Sequence, residues 1–147
     1  MSAGLPAAPD GAAGRPDLGW CGLQPWWQIP LEAAARREYG RDLRVQLEID
    51  LLVYRVPIEV RGRRDPVPVA VYFFARPPYD CWGLPPEEYP RVIADPGRPS
   101  PHRMPEDNAL CLYYPRSSVG QRWRPELGLL ALLDLTRDHL FFEDHWW

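Results

Sequence analysis

The 147-residue chain contains no lysine: its 17 basic residues are all arginine, and 20 acidic residues leave a net charge of −3. A chain with this balance lacks the strongly basic surface that attracts nucleic acids and anionic membranes. Long hydrophobic runs are also missing, because the longest, residues 127–133, is far shorter than the roughly 20 apolar residues that span a bilayer. We therefore expect no nucleic-acid partner and no membrane partner.

Cysteine and histidine are scarce, with three of each. An odd number of cysteines leaves at least one thiol free, and neither residue type shows the paired spacing of a zinc site. The residues are Cys21, Cys81, Cys111, His102, His139 and His145. The N-terminus also lacks the basic and apolar segments of a signal peptide. We expect a cytoplasmic protein with a free thiol, no metal site and no cofactor.

Hydrophobic residues make up 46% of the chain, and seven tryptophans and 19 prolines stand out. This composition excludes disorder for most of the sequence. Residues 1–17 are the exception, since alanine, glycine and proline dominate there and little can be buried. We predict a flexible tail over residues 1–17 and a single domain over residues 18–147.

Hydrophobic periodicity predicts one helix followed by three strands. The helix covers residues 31–39, after a proline and before a glycine. Alternation with a period of two predicts a half-buried strand over residues 43–49 and, after a phase shift, a second strand through residue 60. Residues 67–74 predict a third strand, paired with the second as an antiparallel meander.

The second half of the chain changes character. Nine prolines in residues 76–105 exclude a helix and any long strand, although one short strand at residues 91–94 is compatible with the pattern. An irregular stretch of this length in a compact domain is usually functional. Residues 125–147 predict a helical end with an apolar and an aromatic part. The order of elements indicates an α+β domain.

The most specific pattern surrounds Cys111. The segment HRMPEDNALCLYYP, residues 102–115, places a histidine nine residues before this cysteine, and a Trp-x-Pro begins twelve residues after it at Trp123. A Tyr-Pro pair lies upstream at residues 89–90. Together these motifs resemble the active-site region of ubiquitin-conjugating enzymes, in which a His-Pro-Asn motif precedes a catalytic cysteine in a Leu-Cys-Leu setting and a Trp-x-Pro follows it.

The resemblance covers residues 30–147 and is closest to a bacterial stand-alone branch of that family, which is associated with anti-phage defence operons. It implies a ubiquitin-conjugating-enzyme-like fold: an N-terminal helix, a four-stranded antiparallel meander, a proline-rich flap and short C-terminal helices. It also implies an acyltransferase. An activating enzyme passes the C-terminal glycine of a ubiquitin-like modifier, or of a nucleotidyltransferase such as a cyclic-oligonucleotide synthase, to Cys111 as a thioester. An amine or another nucleophile on a target protein then takes the acyl group.

Two more site residues follow from the resemblance, and one position departs from it. His102 takes the place of the family histidine, which holds the flap beside the cysteine. The family asparagine, which stabilises the oxyanion, is replaced by Met104, whose thioether cannot donate a hydrogen bond. Asn108, the only asparagine in the chain, is the candidate to supply that amide from a shifted position; the alternative role is to cap a turn.

Several alternatives remain open from the sequence. A general base for the incoming amine has four candidates, which are His139, His145, Asp134 and Asp138. Trp26 and Trp27 serve either core packing or contact with an activating enzyme. The whole domain is alternatively a binding module without catalysis, or a cysteine peptidase that pairs Cys111 with His139.

Overall fold

A computed structural model describes residues 20–146 of the chain. They form an α+β domain that consists of an N-terminal helix, α1 (Pro25–Tyr39), a four-stranded antiparallel sheet and a C-terminal helix, α2 (Leu129–Trp146). The predicted α+β class is thereby confirmed. The predicted flexible tail, residues 1–17, lies outside the described residues. Within the described part of the chain, neither helix has the length and hydropathy that a membrane crossing requires.

The sheet is a simple meander in which each strand pairs antiparallel with the next. Its strands are β1 (Arg44–Glu48), β2 (Leu51–Ile58), β3 (Val67–Phe74) and β4 (Arg91–Ala94). The bounds of β3 and β4 are those that the sequence predicted. The predicted phase shift, at residues 51–53, falls in the first residues of β2, just after the tight turn at residues 49–50.

The core lies between one face of the sheet and the two helices. Alternate residues of β2 and β3 face this layer because side chains of a strand point to opposite sides in turn. The buried set includes Leu52, Tyr54, Val56, Ile58, Val67, Val69, Val71 and Phe73 from the strands and Leu31, Ala35, Leu129, Leu132, Leu133 and Leu140 from the helices. Trp123, the first residue of the Trp-x-Pro motif, is buried in the same cluster.

Helix α1 begins six residues earlier than predicted, at Pro25, and continues through Pro30. A proline inside a helix removes one backbone hydrogen bond and usually ends the helix. Here the preceding turns are held by tertiary packing, because the Trp27 ring contacts the edge of the Phe73 ring at a centroid distance of 5.4 Å. Local sequence rules could not show this contact.

Strand β1 is exposed over its whole length, so the predicted half-buried strand is wrong in its burial. Val45 and Leu47 stand opposite the buried residues Tyr54 and Leu52, on the helix side of the sheet. They remain about half exposed, at 46% and 48%, because the helices do not extend over this edge. The predicted short C-terminal helices are also corrected: one 18-residue helix, α2, follows a 3-10 turn at Pro125–Leu127.

Candidate active site around Cys111

Cys111 lies at the end of a short hairpin-like segment beside β4, residues 102–111, which we call the Cys111 segment. The backbone N–H of Leu110 donates to the carbonyl of Val92 in β4 at 2.9 Å, which attaches the segment to the sheet. Within the segment, Arg103 and Leu110 form an isolated antiparallel bridge, and the N–H of Cys111 donates to the carbonyl of His102 at 3.0 Å. These bonds bring His102 and Cys111, which are nine residues apart in sequence, to adjacent positions on the two paired arms of this segment.

The Cys111 thiol is half-buried, and its sulfur has one hydrogen-bond partner among the described residues. That partner is the sulfur of Met104, at 3.7 Å. Met104 therefore contacts the candidate nucleophile from the place where the resemblance led us to look for an asparagine. Leu110, before Cys111, is buried in the core, whereas Leu112, after it, is only partly buried. The cysteine thus lies where the chain leaves the core for the surface.

The electrostatic surroundings keep Cys111 protonated at neutral pH. Burial raises the pKa of its thiol above the ordinary value, because a thiolate is poorly solvated there. The guanidinium of Arg91 acts in the opposite direction, and the carboxylates of Glu106, Asp107 and Glu143 raise the pKa of the thiol further. The resting side chain of Cys111 is therefore a thiol, and a nucleophilic role would require the loss of its proton first.

The other two cysteines are not better placed for reaction. Burial raises the pKa of Cys21 to about 12, and the nearby carboxylate of Glu87 adds to the effect. Burial also raises the pKa of Cys81, and Arg91 opposes the rise. All three thiols are free.

Arg91 is a site residue that sequence reasoning missed. Its buried guanidinium lies over the Tyr79 ring, 3.8 Å from the centroid, and it forms ion pairs with Glu106 and Asp107 at 3.1 and 2.8 Å. These partners belong to the turn between the two strands of the Cys111 segment. Arg91 therefore links β4 to that turn and supplies the positive charge that acts on the Cys111 thiol. A basic residue directly after the Tyr-Pro pair was the available signal.

The Cys111 segment is anchored to α2 by a buried ion pair, which the sequence also did not reveal. Arg103 donates from two nitrogens to the carboxylate of Glu143, at 2.9 and 2.7 Å, and both side chains are 1% exposed. Arg103 also donates to the backbone carbonyls of Ala94 and Asp95 and to the side-chain oxygen of Asn108. One guanidinium thus joins β4, the loop after it, the Cys111 segment and the C-terminal helix.

The histidine predictions have different outcomes. His102 is exposed, and its ring meets that of His139 edge-on at a centroid distance of 6.3 Å. His139 lies 3.3 Å from the Glu143 carboxylate, and burial lowers the pKa of its imidazole. His145 contacts the carbonyl and ring of Phe141, on the last turns of α2. The structure therefore groups His102 with His139 beside the Cys111 segment and does not bring His145 to it.

Asn108 is held in the left-handed region, with a φ of 64°. Its side-chain oxygen accepts from the N–H of Gly97 at 2.8 Å and from Arg103 at 3.1 Å, and its amide nitrogen donates to the carbonyl of Arg98 at 2.9 Å. These bonds fasten the loop after β4 to the Cys111 segment. The oxyanion role of Asn108 remains a prediction. In that role, the amide nitrogen would donate to the oxyanion with its second N–H or would give up its bond to the carbonyl of Arg98.

The remaining candidates are distributed over the surface. Asp134 pairs with Arg137 on the exposed side of α2, and Asp138 is exposed nearby. Trp27 packs against the core, whereas Trp26 is 52% exposed. Among residues 20–146, no three histidine, cysteine or acidic side chains are grouped as metal ligands.

An apolar groove opens next to the residues that follow Cys111. It has a volume of about 320 Å³ and begins at Leu112 and Tyr113, the two residues after the cysteine. Trp123, Leu127 and Leu135 also line it. The groove is large enough to hold several apolar side chains of a ligand, close in sequence to Cys111 although the cysteine does not line it. Comparisons of the chain with protein-family models, with curated proteins and with solved structures gave no match.

Proposed function

We propose that this protein is a thioester carrier of the ubiquitin-conjugating type, with Cys111 as its nucleophile. The observation that carries the proposal is the setting of Cys111: a free thiol at the surface end of a segment that two buried arginines fix to the sheet and to α2. Nucleophilic catalysis requires a thiol that is held rigidly and that a substrate can reach. The order of elements, a helix, a meander, the cysteine and a helix, also fits the fold expected from the resemblance.

The reaction proceeds in two acyl transfers. Cys111 first loses its proton, and its sulfur attacks the carbonyl carbon of a C-terminal glycine held as a thioester on an activating enzyme. The new carbon–sulfur bond forms, the old one breaks, and the departing thiolate takes up a proton. An amine of the target protein then attacks the same carbon. A carbon–nitrogen bond forms, Cys111 leaves as a thiolate, and the proton released by the amine returns to it.

The groove beside Cys111 supports a polypeptide substrate rather than a small acyl group. A volume of about 320 Å³ is within the range of ligand pockets, and its lining is mostly apolar. The C-terminal tail of a modifier, or of a nucleotidyltransferase, would lie along Leu127 and Leu135 with its last glycine at the sulfur. We propose the same cellular setting that the resemblance implies, namely bacterial anti-phage defence, with an activating enzyme and a target protein as partners.

A carrier is favoured over a peptidase by the partner of the sulfur. A cysteine peptidase needs an imidazole in contact with its nucleophile, and a third group that orients the imidazole. Among the described residues, the sulfur of Cys111 is partnered by Met104, while His139 interacts with His102 and Glu143. A base that stays away from the sulfur suits a thioester that must survive until its target arrives.

Thioester exchange with a model donor tests the proposal without the natural partners. The donor is a short peptide that ends in glycine as its 2-mercaptoethanesulfonate thioester. We expect wild type to gain the mass of the acyl group, and a thiol reductant to remove it. Cys111→Ser should gain no acyl group from this donor, because an unactivated hydroxyl is a far weaker nucleophile than a thiolate. Cys21→Ser and Cys81→Ser should load like wild type, and an undiminished adduct on Cys111→Ala would contradict the assignment.

A groove variant separates guided loading from mere thiol exposure. Leu127→Glu places a charge in the groove wall and should slow loading by roughly tenfold, since a substrate contact of about 1.4 kcal/mol is lost. Phe142→Glu is the matched control, because Phe142 is exposed to a similar degree, 56% against 52%, and does not line the groove. Equal loading rates for the two variants would leave the groove without a role.

A further inference from the structure

The free edge of the sheet carries an unusual combination of features. β1 is an edge strand, every one of its five residues is exposed, and among residues 20–146 it pairs only with β2. Unpaired edge strands invite pairing with another chain, and proteins usually protect them with proline, a bulge or an inward charge. The β1 sequence Arg-Val-Gln-Leu-Glu contains no proline, and its two apolar residues remain exposed.

The residue order of β1 complements itself. When two copies of the strand pair antiparallel about Gln46, Arg44 of one copy stands opposite Glu48 of the other, and this happens twice. Val45 then stands opposite Leu47, and Gln46 opposite its own copy. Opposite charges and apolar pairs in directly opposed positions stabilise antiparallel sheets, whereas like charges destabilise them. A parallel in-register pairing would instead place Arg44 beside Arg44.

The helix side of the same edge supplies apolar area for such a contact. Val45 and Leu47 project to this side, opposite Tyr54 and Leu52 of β2. Both side chains are about half exposed, at 46% and 48%, so their apolar surface is available to a second copy.

We propose that this protein forms a symmetric dimer by antiparallel pairing of β1 with β1 of a second copy, centred on Gln46. The two sheets join into one sheet of eight strands, and the twofold axis stands normal to it. Val45 and Leu47 of both copies then meet on the helix side of the joined sheet. The Cys111 segment lies at the β4 edge, so the pairing leaves it accessible on both copies. The inference uses no part of the proposed carrier reaction.

Charge exchange between the two ends of β1 tests the pairing and its register. Arg44→Glu gives a strand with glutamate at both ends, and Glu48→Arg gives one with arginine at both ends. Each variant alone should dimerise at least about tenfold more weakly than wild type, because two attractive pairs become repulsive. An equimolar mixture should restore a dimer that contains one chain of each kind. Arg64→Glu is the matched control, since Arg64 is exposed and lies outside the strand.

Sedimentation velocity from about 5 to 300 µM, a range suited to a small interface, gives the readout, with unfolding curves to confirm that each variant folds. A wild-type chain that stays monomeric throughout, or a dimer that both single variants leave intact, overturns the proposal. Failure of the mixture to restore dimers overturns this register. As a second measurement, Gln46→Cys should cross-link to itself under mild oxidation, because directly opposed Cβ atoms lie about 4.5–5.5 Å apart. Arg44→Cys should not.

Discussion

The two edges of the sheet place an arginine and a glutamate in opposite environments. At the β4 edge, Arg103 and Glu143 are buried together and hold the segment that carries Cys111. At the β1 edge, Arg44 and Glu48 lie in solvent on a strand that nothing within the described residues covers. An exposed charge interacts weakly, whereas a buried one must be fully paired. The comparison indicates that buried ion pairing is used at the edge that holds Cys111, the candidate nucleophile, and not at the β1 edge.

Breaking the buried pair should have the largest effect. Glu143→Ala leaves the Arg103 guanidinium buried without its carboxylate, and we expect it to lower the free energy of unfolding by about 3–5 kcal/mol. Glu48→Ala at the other edge should change it by less than about 0.5 kcal/mol. Urea unfolding of the two variants measures the contrast, and similar losses in both would contradict it.

The same pair predicts a response to acid. Burial acts to raise the pKa of Glu143, but hydrogen bonds from Arg103 and Ser100 outweigh it and hold the pKa at about 2, below the ordinary 4.5. A carboxyl with a lowered pKa stabilises the fold above its ordinary pKa and loses that contribution as pH falls towards the lowered one. Wild type should therefore lose stability between about pH 4.5 and 2. Glu143→Gln should lose less stability than wild type over this pH range. An identical loss in both proteins would exclude Glu143 as its cause.

The backbone of Asn108 gives the next largest effect. Asn108→Gly keeps a residue that tolerates the positive φ, whereas Asn108→Ala adds strain to the loss of the side-chain hydrogen bonds. We expect the alanine variant to be about 1 kcal/mol less stable than the glycine variant. If Asn108 also stabilises the oxyanion, both variants should slow the discharge of a loaded acyl group, relative to wild type, far more than they slow loading. Equal slowing of both steps would leave the residue with a structural role only.

The smallest effect concerns the charge around the thiol. Glu106→Gln removes a carboxylate that raises the pKa of Cys111, so a larger fraction of the sulfur should be ionised at pH 8. The alkylation rate of Cys111 by iodoacetamide should rise about two- to threefold, because the reactive species is the thiolate. Glu48→Gln, at the opposite edge of the sheet, is the control and should leave the rate unchanged. A slower alkylation of Cys111 in Glu106→Gln would contradict the predicted direction of the change.

The sequence was informative where contacts are local and silent where they are not. Alternating apolar residues predicted β3 to the residue, and the prolines predicted the irregular stretch around β4. The Arg103–Glu143 pair spans forty residues of sequence and was invisible, because nothing local distinguishes it from exposed charges such as Arg44. Likewise, the burial of β1 depends on where the helices end. Cys111 could be singled out from its motif, but the Met104 contact at its sulfur needed the structure.

The lifetime of the acyl group on Cys111 tests the central claim most directly. Wild type is loaded from the glycyl thioester, freed of donor, and followed by intact mass in buffer alone and in buffer with a primary amine. A carrier should keep the acyl group in water at least about tenfold longer than in the presence of the amine, with the glycyl amide as the product. Rapid hydrolysis at the same rate with and without the amine would contradict the carrier and indicate a peptidase.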